Sequence, residues 1–216
     1  VSTPGGIACG ATCGADFDVG TVVTLTATPS DSANTFTGWS GACTGTGACT
    51  VTMDAAKSVT ATFVPKFQVL VSRTGLGSAN GRVVSTPAGI DCGLLCNTAF
   101  DSGTVVTLTP SAVGGASFVG WSGGACTGSG ACTVTMTGPI IATAIFEQRY
   151  PITVVRAGSG TGTVTSNPAR IDCGATCSAD FLAGTLARFN ATPASGSVFT
   201  GWSGACSGFG ECEVDV

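Results

Sequence analysis

The strongest constraint on this chain is a pattern of cysteines written three times. Each time a Cys-x3-Cys pair is followed by a Gly-Thr strand segment, by Phe-x-Gly-Trp-Ser-Gly and by a Cys-x5-Cys pair. The copies hold Cys9, Cys13, Cys43 and Cys49, then Cys92, Cys96, Cys126 and Cys132, then Cys173, Cys177, Cys206 and Cys212, which accounts for all 12 cysteines. Corresponding cysteines stand about 80 residues apart, a domain-sized period and not a short solenoid unit. The chain is therefore a tandem array, and its function has to be read from an array.

A unit of that size buries a thin core and needs staples. Two chemistries would supply them, zinc or disulfides. Structural zinc sites favour tighter knuckles and often include histidine, whereas this chain has no histidine at all, so disulfides are expected. Four cysteines allow three connectivities. Sequential pairing is preferred, because Thr127-Gly128-Ser129-Gly130-Ala131 forms a natural hairpin tip whose flanks approach across a ladder. Loops this short contribute about 2 kcal/mol each on the chain-entropy model. Paired cysteines point to an oxidising compartment, extracellular or at a cell surface.

Alternation gives the secondary structure. Phe67-Gln68-Val69-Leu70-Val71-Ser72-Arg73 and its counterpart Tyr150-Pro151-Ile152-Thr153-Val154-Val155-Arg156 carry large residues at every second position, the period of a half-buried strand. Comparing copies assigns faces. Val106 and Leu108 match Val23 and Leu25, then Ala187 and Phe189, always apolar, while Thr107 and Thr109 match Arg188 and Asn190 and so must meet water. Likewise Cys132, Val134 and Met136 point inward, and Glu213 and Asp215 mark the outward face of the matching strand. No helical period is present. The expected fold is all-β, a tandem array of small disulfide-stapled domains with about six short strands each, grasp-like or sandwich-like. The units are placed at residues 1–63, 67–146 and 150–216. Connectors of three residues reach at most about 10 Å, so a stiff, rod-shaped array is expected.

Composition then removes whole classes of function. Charged residues make up 9% of the chain, far below the roughly 25% of an ordinary soluble protein. None occurs between residues 102 and 146. The net charge is −4 and the 8 Lys and Arg are scattered, so a nucleic-acid partner has no electrostatic footprint. No apolar run reaches the roughly 18 residues of a membrane span. A neutral, hydroxyl-rich surface favours association with copies of itself. Catalysis has no visible machinery: without histidine no His-based triad forms, and no phosphate loop, dinucleotide fingerprint or recurring carboxylate pair is present. No catalytic residue, metal ligand or cofactor is assigned. Asp91, Asp101, Asp172 and Asp180 flank the Cys-x3-Cys loops, but Ala8 replaces Asp91 in the first copy and no dense calcium loop occurs.

Two residue sets compete between packing and binding. Phe36 with Trp39, Phe118 with Trp121 and Phe199 with Trp202 read as core aromatics, with a bulge at Gly120 and its counterparts turning both rings inward. Read instead as sugar platforms, they would make the chain a carbohydrate-binding module. Ile141 and Ile145 lie on the outer face of their strand, where the first copy has Ser58 and Thr62. They mark a candidate interface, with another molecule or with a neighbouring repeat. Asn190-Ala191-Thr192 is the one glycosylation sequon, a tripeptide that also arises by chance.

The order Gly-x-Val, Ser-x-Pro-x-x-Ile, Gly-Thr-x-Val-x-Leu-x-Ala-x-Pro, Phe-x-Gly-Trp-Ser-Gly, Cys-Thr-Val-Thr-Met and x-Val-Thr-Ala-x-Phe resembles the divergent internalin B-repeat domains of bacterial surface and secreted proteins. The resemblance covers the whole chain. It implies a small β-rich, grasp-like fold that serves as spacer, stalk or adhesive module, with no catalytic residues to carry over. Most such domains lack these cysteines, so the chain looks like a disulfide-bearing branch.

Residue 1 aligns with Val84 and Val216 with Met136, so the expectation is a piece of a longer array or an assembly that exchanges strands between neighbours. The sequence thus points to a structural extracellular array, either a surface stalk or a polymerised filament held by self-association. The alternatives are an adhesin or carbohydrate-binding module with a glycan or host-surface partner, and the noncatalytic arm of a secreted enzyme.

Overall fold

A computed structural model describes all residues, 1–216. Strands and turns dominate, and no α-helix is present. In the first copy β1 (Ser2–Thr3), β2 (Val22–Leu25), β3 (Asn34–Gly41) and β4 (Cys49–Thr52) precede β5 (Val59–Thr74), which runs unbroken into the second copy. A 3-10 turn (Ser78–Asn80) then leads to β6 (Gly81–Thr86), β7 (Asp91–Cys92), β8 (Asn97–Asp101), β9 (Val105–Ala112), β10 (Ala116–Ser122) and β11 (Cys132–Thr135). β12 (Ile140–Thr153) passes in the same way into the third copy, followed by β13 (Gly162–Asn167), β14 (Ser178–Leu182), β15 (Leu186–Pro193) and β16 (Cys212–Asp215).

The three-residue connectors are therefore not connectors. Val64, Pro65 and Lys66 lie inside β5, and Glu147, Gln148 and Arg149 inside β12. The reason is hydrogen bonding on both sides. The Lys66 N–H donates to the Ala33 carbonyl, and the Pro65 carbonyl accepts from Ser102 N–H. In β12, the Arg149 N–H donates to Gly115 and the Gln148 carbonyl accepts from Ala183. A backbone whose polar groups are taken up on both edges has no reason to loop.

The chain forms two compact units, which do not coincide with the sequence copies. The first comprises Val1–Leu70, Asn97–Val106 and Val134–Ile140; the second comprises Val71–Cys96, Thr107–Thr133 and Ile141–Val216.

In the first unit, β1, β2 and β4 form an antiparallel sheet ordered β1-β2-β4. Its inner face carries Val23, Cys49 and Val51, with Phe17, Leu25, Trp39, Met53 and Val59 packed around them. β3 pairs with residues 59–65 of β5, and β8 pairs with residues 66–70 of the same strand.

In the second unit, β10 pairs with β12 from Gln148 back to Thr143, and β14 pairs with β12 from Arg149 to Thr153. β5 also neighbours β12, where the Ser72 and Thr143 hydroxyls are 2.8 Å apart. β6 carries β7 on one side and β9 on the other. The third copy contributes the sheet β13-β15-β16, which encloses Val164, Ile171, Phe181, Ala187 and Phe189.

The period-two faces are seen directly. Val106 and Leu108 are fully buried while Thr109 is exposed, and Val134 and Met136 are buried between exposed Thr133 and Thr135. Large apolar side chains removed from water on one face of each strand are the main driving force of such small sheets.

Candidate functional site

Each copy presents the same construction, a tryptophan held by a stapled hairpin. The staples are Cys43–Cys49, Cys126–Cys132 and Cys206–Cys212, and the Cys-x3-Cys loops close as Cys9–Cys13, Cys92–Cys96 and Cys173–Cys177. No cysteine is free. Within the hairpin of the second copy, Gly128 accepts the Trp121 backbone N–H at 2.8 Å and Gly130 accepts the indole N–H at 2.8 Å. The first copy repeats this with Gly45 and Gly47 around Trp39, the third with Gly208 and Gly210 around Trp202.

Two glycines make the clamp possible. Gly128 sits at φ +78°, in the left-handed region that L side chains avoid, and a Cβ at Gly120 would stand 3.0 Å from the Gly128 carbonyl. Gly120 is also where the β10–β12 register slips by one residue, and Gly38 does the same in β3. That bulge turns Phe118 and Trp121 to one side, their ring centroids 5.2 Å apart and edge-on, with Phe146 next to Phe118 at 5.5 Å. Phe36–Trp39 and Phe199–Trp202 repeat the contact at 5.1 Å. Trp121 is buried; Trp39 and Trp202 are half-buried. In all three copies the indole N–H is already bound within its own hairpin.

A second recurrent device explains Ser-x-Pro-x-x-Ile. The Ser85 hydroxyl donates to the Pro87 carbonyl at 2.7 Å and accepts the Ile90 N–H at 2.9 Å. Ser166 does so with Pro168 and Ile171, and Ser2 with Pro4 and Ile7. Ser85 and Ser166 are buried, and each is satisfied as donor and acceptor. Sequence reasoning missed this clip, although the recurrence of serine two residues before proline was its signal. It also missed Gln148, which is 3% exposed and bonds the Gly114 carbonyl and the Asn80 amide. The first copy has Pro65 in that place, so repetition gave no signal.

Charge is confined to the surface. Arg82 grips Asp91 through two hydrogen bonds of 2.6 Å, which hold the Asp91 carboxyl below its ordinary range and raise the guanidinium further. The Asp101 carboxylate accepts the Thr35 hydroxyl at 2.5 Å. Arg188 and Glu213 pair at 2.9 Å across β15 and β16. No group of histidine, cysteine or carboxylate side chains converges as metal ligands would.

Exposed apolar residues are scattered. Ile141 is 59% exposed and Ile145 half-buried. Leu94, at the apex of the second Cys-x3-Cys loop, is almost fully exposed. Asn190 lies on the solvent face of β15 opposite Thr165.

A cavity of about 600 Å³ lies in the first unit between the β1-β2-β4 sheet and residues 59–63 of β5. Its wall includes Val23, Leu25, Trp39, Met53, Val59 and Phe63.

A family model described as the divergent InlB B-repeat domain matches residues 2–67, 79–149 and 150–215. No curated protein and no solved structure matches the chain.

Proposed function

The chain belongs to the divergent InlB B-repeat domain family, and from that premise we propose that it is a structural extracellular protein, a repeat array that transmits tension as a cell-surface stalk and polymerises into a filament. The family is typical of bacterial surface proteins, and six disulfides fit an oxidising exterior.

One observation carries the reading. Strands from successive copies dock on a single continuous strand: β3 and β8 on β5, β10 and β14 on β12. Where a flexible tether would separate domains, residues 64–66 of β5 and 147–149 of β12 stay within the ladder, paired to β3 and β8 and to β10 and β14, so the backbone between copies is held in extended form. A neutral surface, with charged side chains few and four ion pairs among them, supports self-association over electrostatic recognition of a partner. The family is a repeat domain of surface proteins and generally noncatalytic, which supports a noncatalytic role.

Electron microscopy and sedimentation of the native protein test the filament. Linear assemblies that lengthen with concentration are the expected result. A monomer at every concentration, in the absence of thiol reductant, overturns polymerisation.

A further inference from the structure

β12 carries the chain from the second copy into the third, and one asparagine buttresses that passage. The Asn80 side-chain amide donates to Gln148 Oε1 at 3.1 Å, while Gln148 Nε2 donates to the Gly114 and Arg149 carbonyls. Gln148 is 3% exposed, so a partner lost there is not replaced by water. The Asn80 backbone carbonyl accepts the Val113 N–H, which ties the 3-10 turn to the loop before β10. The next residue is equally constrained. A Cβ at Gly81 would stand 2.5 Å from the Phe146 ring, so β6 has to begin with glycine. Hydrogen bonding and packing together fix an Asn-Gly pair at residues 80 and 81.

In an Asn-Gly pair the asparagine reacts most readily with its own backbone, because no side chain shields the nitrogen that follows. Of the five asparagines only Asn80 precedes glycine; Asn34, Asn97, Asn167 and Asn190 precede Thr, Thr, Pro and Ala. Asn80 is exposed, so water reaches it. In the closed turn both reacting groups are occupied, the carboxamide by Gln148 and the Gly81 N–H by the Ser78 carbonyl. Reaction between them is therefore gated by local opening of the turn.

We propose that Asn80 is a deamidation site whose product weakens the passage from the second copy to the third. The Gly81 nitrogen attacks Asn80 Cγ, the Cγ–Nδ2 bond breaks, and Nδ2 leaves as ammonia with the proton that Gly81 gives up. Water then opens the cyclic imide at Cγ, giving aspartate, or at the Asn80 backbone carbonyl, giving isoaspartate. Water is the only co-reactant. Aspartate puts a carboxylate oxygen where the N–H stood, an acceptor facing the acceptor Gln148 Oε1. Turning the Gln148 amide over gives no relief, since its oxygen would then face the Gly114 and Arg149 carbonyls. Isoaspartate lengthens the main chain by a carbon and displaces the carbonyl that receives the Val113 N–H. Either product costs the buried glutamine or its neighbour a bond.

The test is independent of whether the chain polymerises. Native protein is aged at neutral pH, and the peptide around each asparagine is followed by mass spectrometry. The amide-to-acid mass gain should appear at Asn80 before any other asparagine, and more slowly than in a synthetic peptide of residues 76–85. Gln148→Met removes the partner of the Asn80 amide and should hasten the gain about fivefold, the factor that one ordinary hydrogen bond represents. The converted fraction, separated by charge, should unfold at a lower urea midpoint than the unconverted fraction, with faster amide exchange at Val113. Asn80→Asp should reproduce that lower midpoint. The comparison of the two native fractions stands even if the Gln148 variant does not fold. Earlier conversion at another asparagine, a rate equal to the peptide's, a rate unmoved in folded Gln148→Met, or a converted fraction with the native midpoint overturns the proposal.

Discussion

Ser85 is a polar residue in a buried place, held there by one bond given and one received. Replacing it with alanine strands the Ile90 N–H and the Pro87 carbonyl, at a cost of about 1–3 kcal/mol. Denaturant unfolding of Ser85→Ala should show that loss as a lower midpoint with an unchanged slope. Trp121 is the larger anchor. Trp121→Ala removes a buried ring and should cost about 3–5 kcal/mol, whereas Trp39→Ala, at a half-buried ring, should cost less. If the indoles were sugar platforms, Trp121→Ala would instead leave stability unchanged and abolish retention on a glycan array. Asp91 makes a pH prediction. Its carboxyl is held low by Arg82, so its contribution is present above the ordinary carboxylate value near about 4 and is lost as pH falls through the lowered folded value. Because the pair is exposed, the effect is small. Stability curves of the native protein and Asp91→Asn should separate at neutral pH and converge in strong acid.

Among the elements, the hairpins are the most self-contained. A Cys-x5-Cys loop closed by a disulfide should contribute about 2 kcal/mol by restricting the unfolded chain. Replacing Cys126 and Cys132 together by alanine should lower stability by that amount, read from urea midpoints, and should loosen the Gly128 and Gly130 contacts that hold Trp121. Much at this scale was legible. Alternation in residues 104–109 and 132–136 placed their faces because the pleat has a period of two and water tolerates Thr, Arg and Glu but not Leu. The bulge at Gly120 was readable as a need, since Phe118 and Trp121 cannot share a face without it. Strand continuity through Val64, Pro65 and Lys66 and through Glu147, Gln148 and Arg149 was not readable. Proline and a run of polar residues normally argue against a strand interior, and only the partners on the two edges of β5 and β12 override that.

At the scale of the whole molecule the copies are not beads. The Thr35 hydroxyl of the first copy reaches the Asp101 carboxylate of the second, beside the point where β3 and β8 meet on β5. Thr35→Val should weaken that junction by about 1 kcal/mol, and a double-mutant cycle with Asp101→Asn should show coupling between the two sites. The sequence alone determined the count of copies, the all-β class, the need for staples and the inward face of each strand, because these follow from local period and from repetition of the same residues. Only the tertiary structure decided that two strands run unbroken from copy to copy and that a buried glutamine serves one of those passages. These depend on which backbone groups find partners far along the chain, and a linear pattern of side chains carries no record of that.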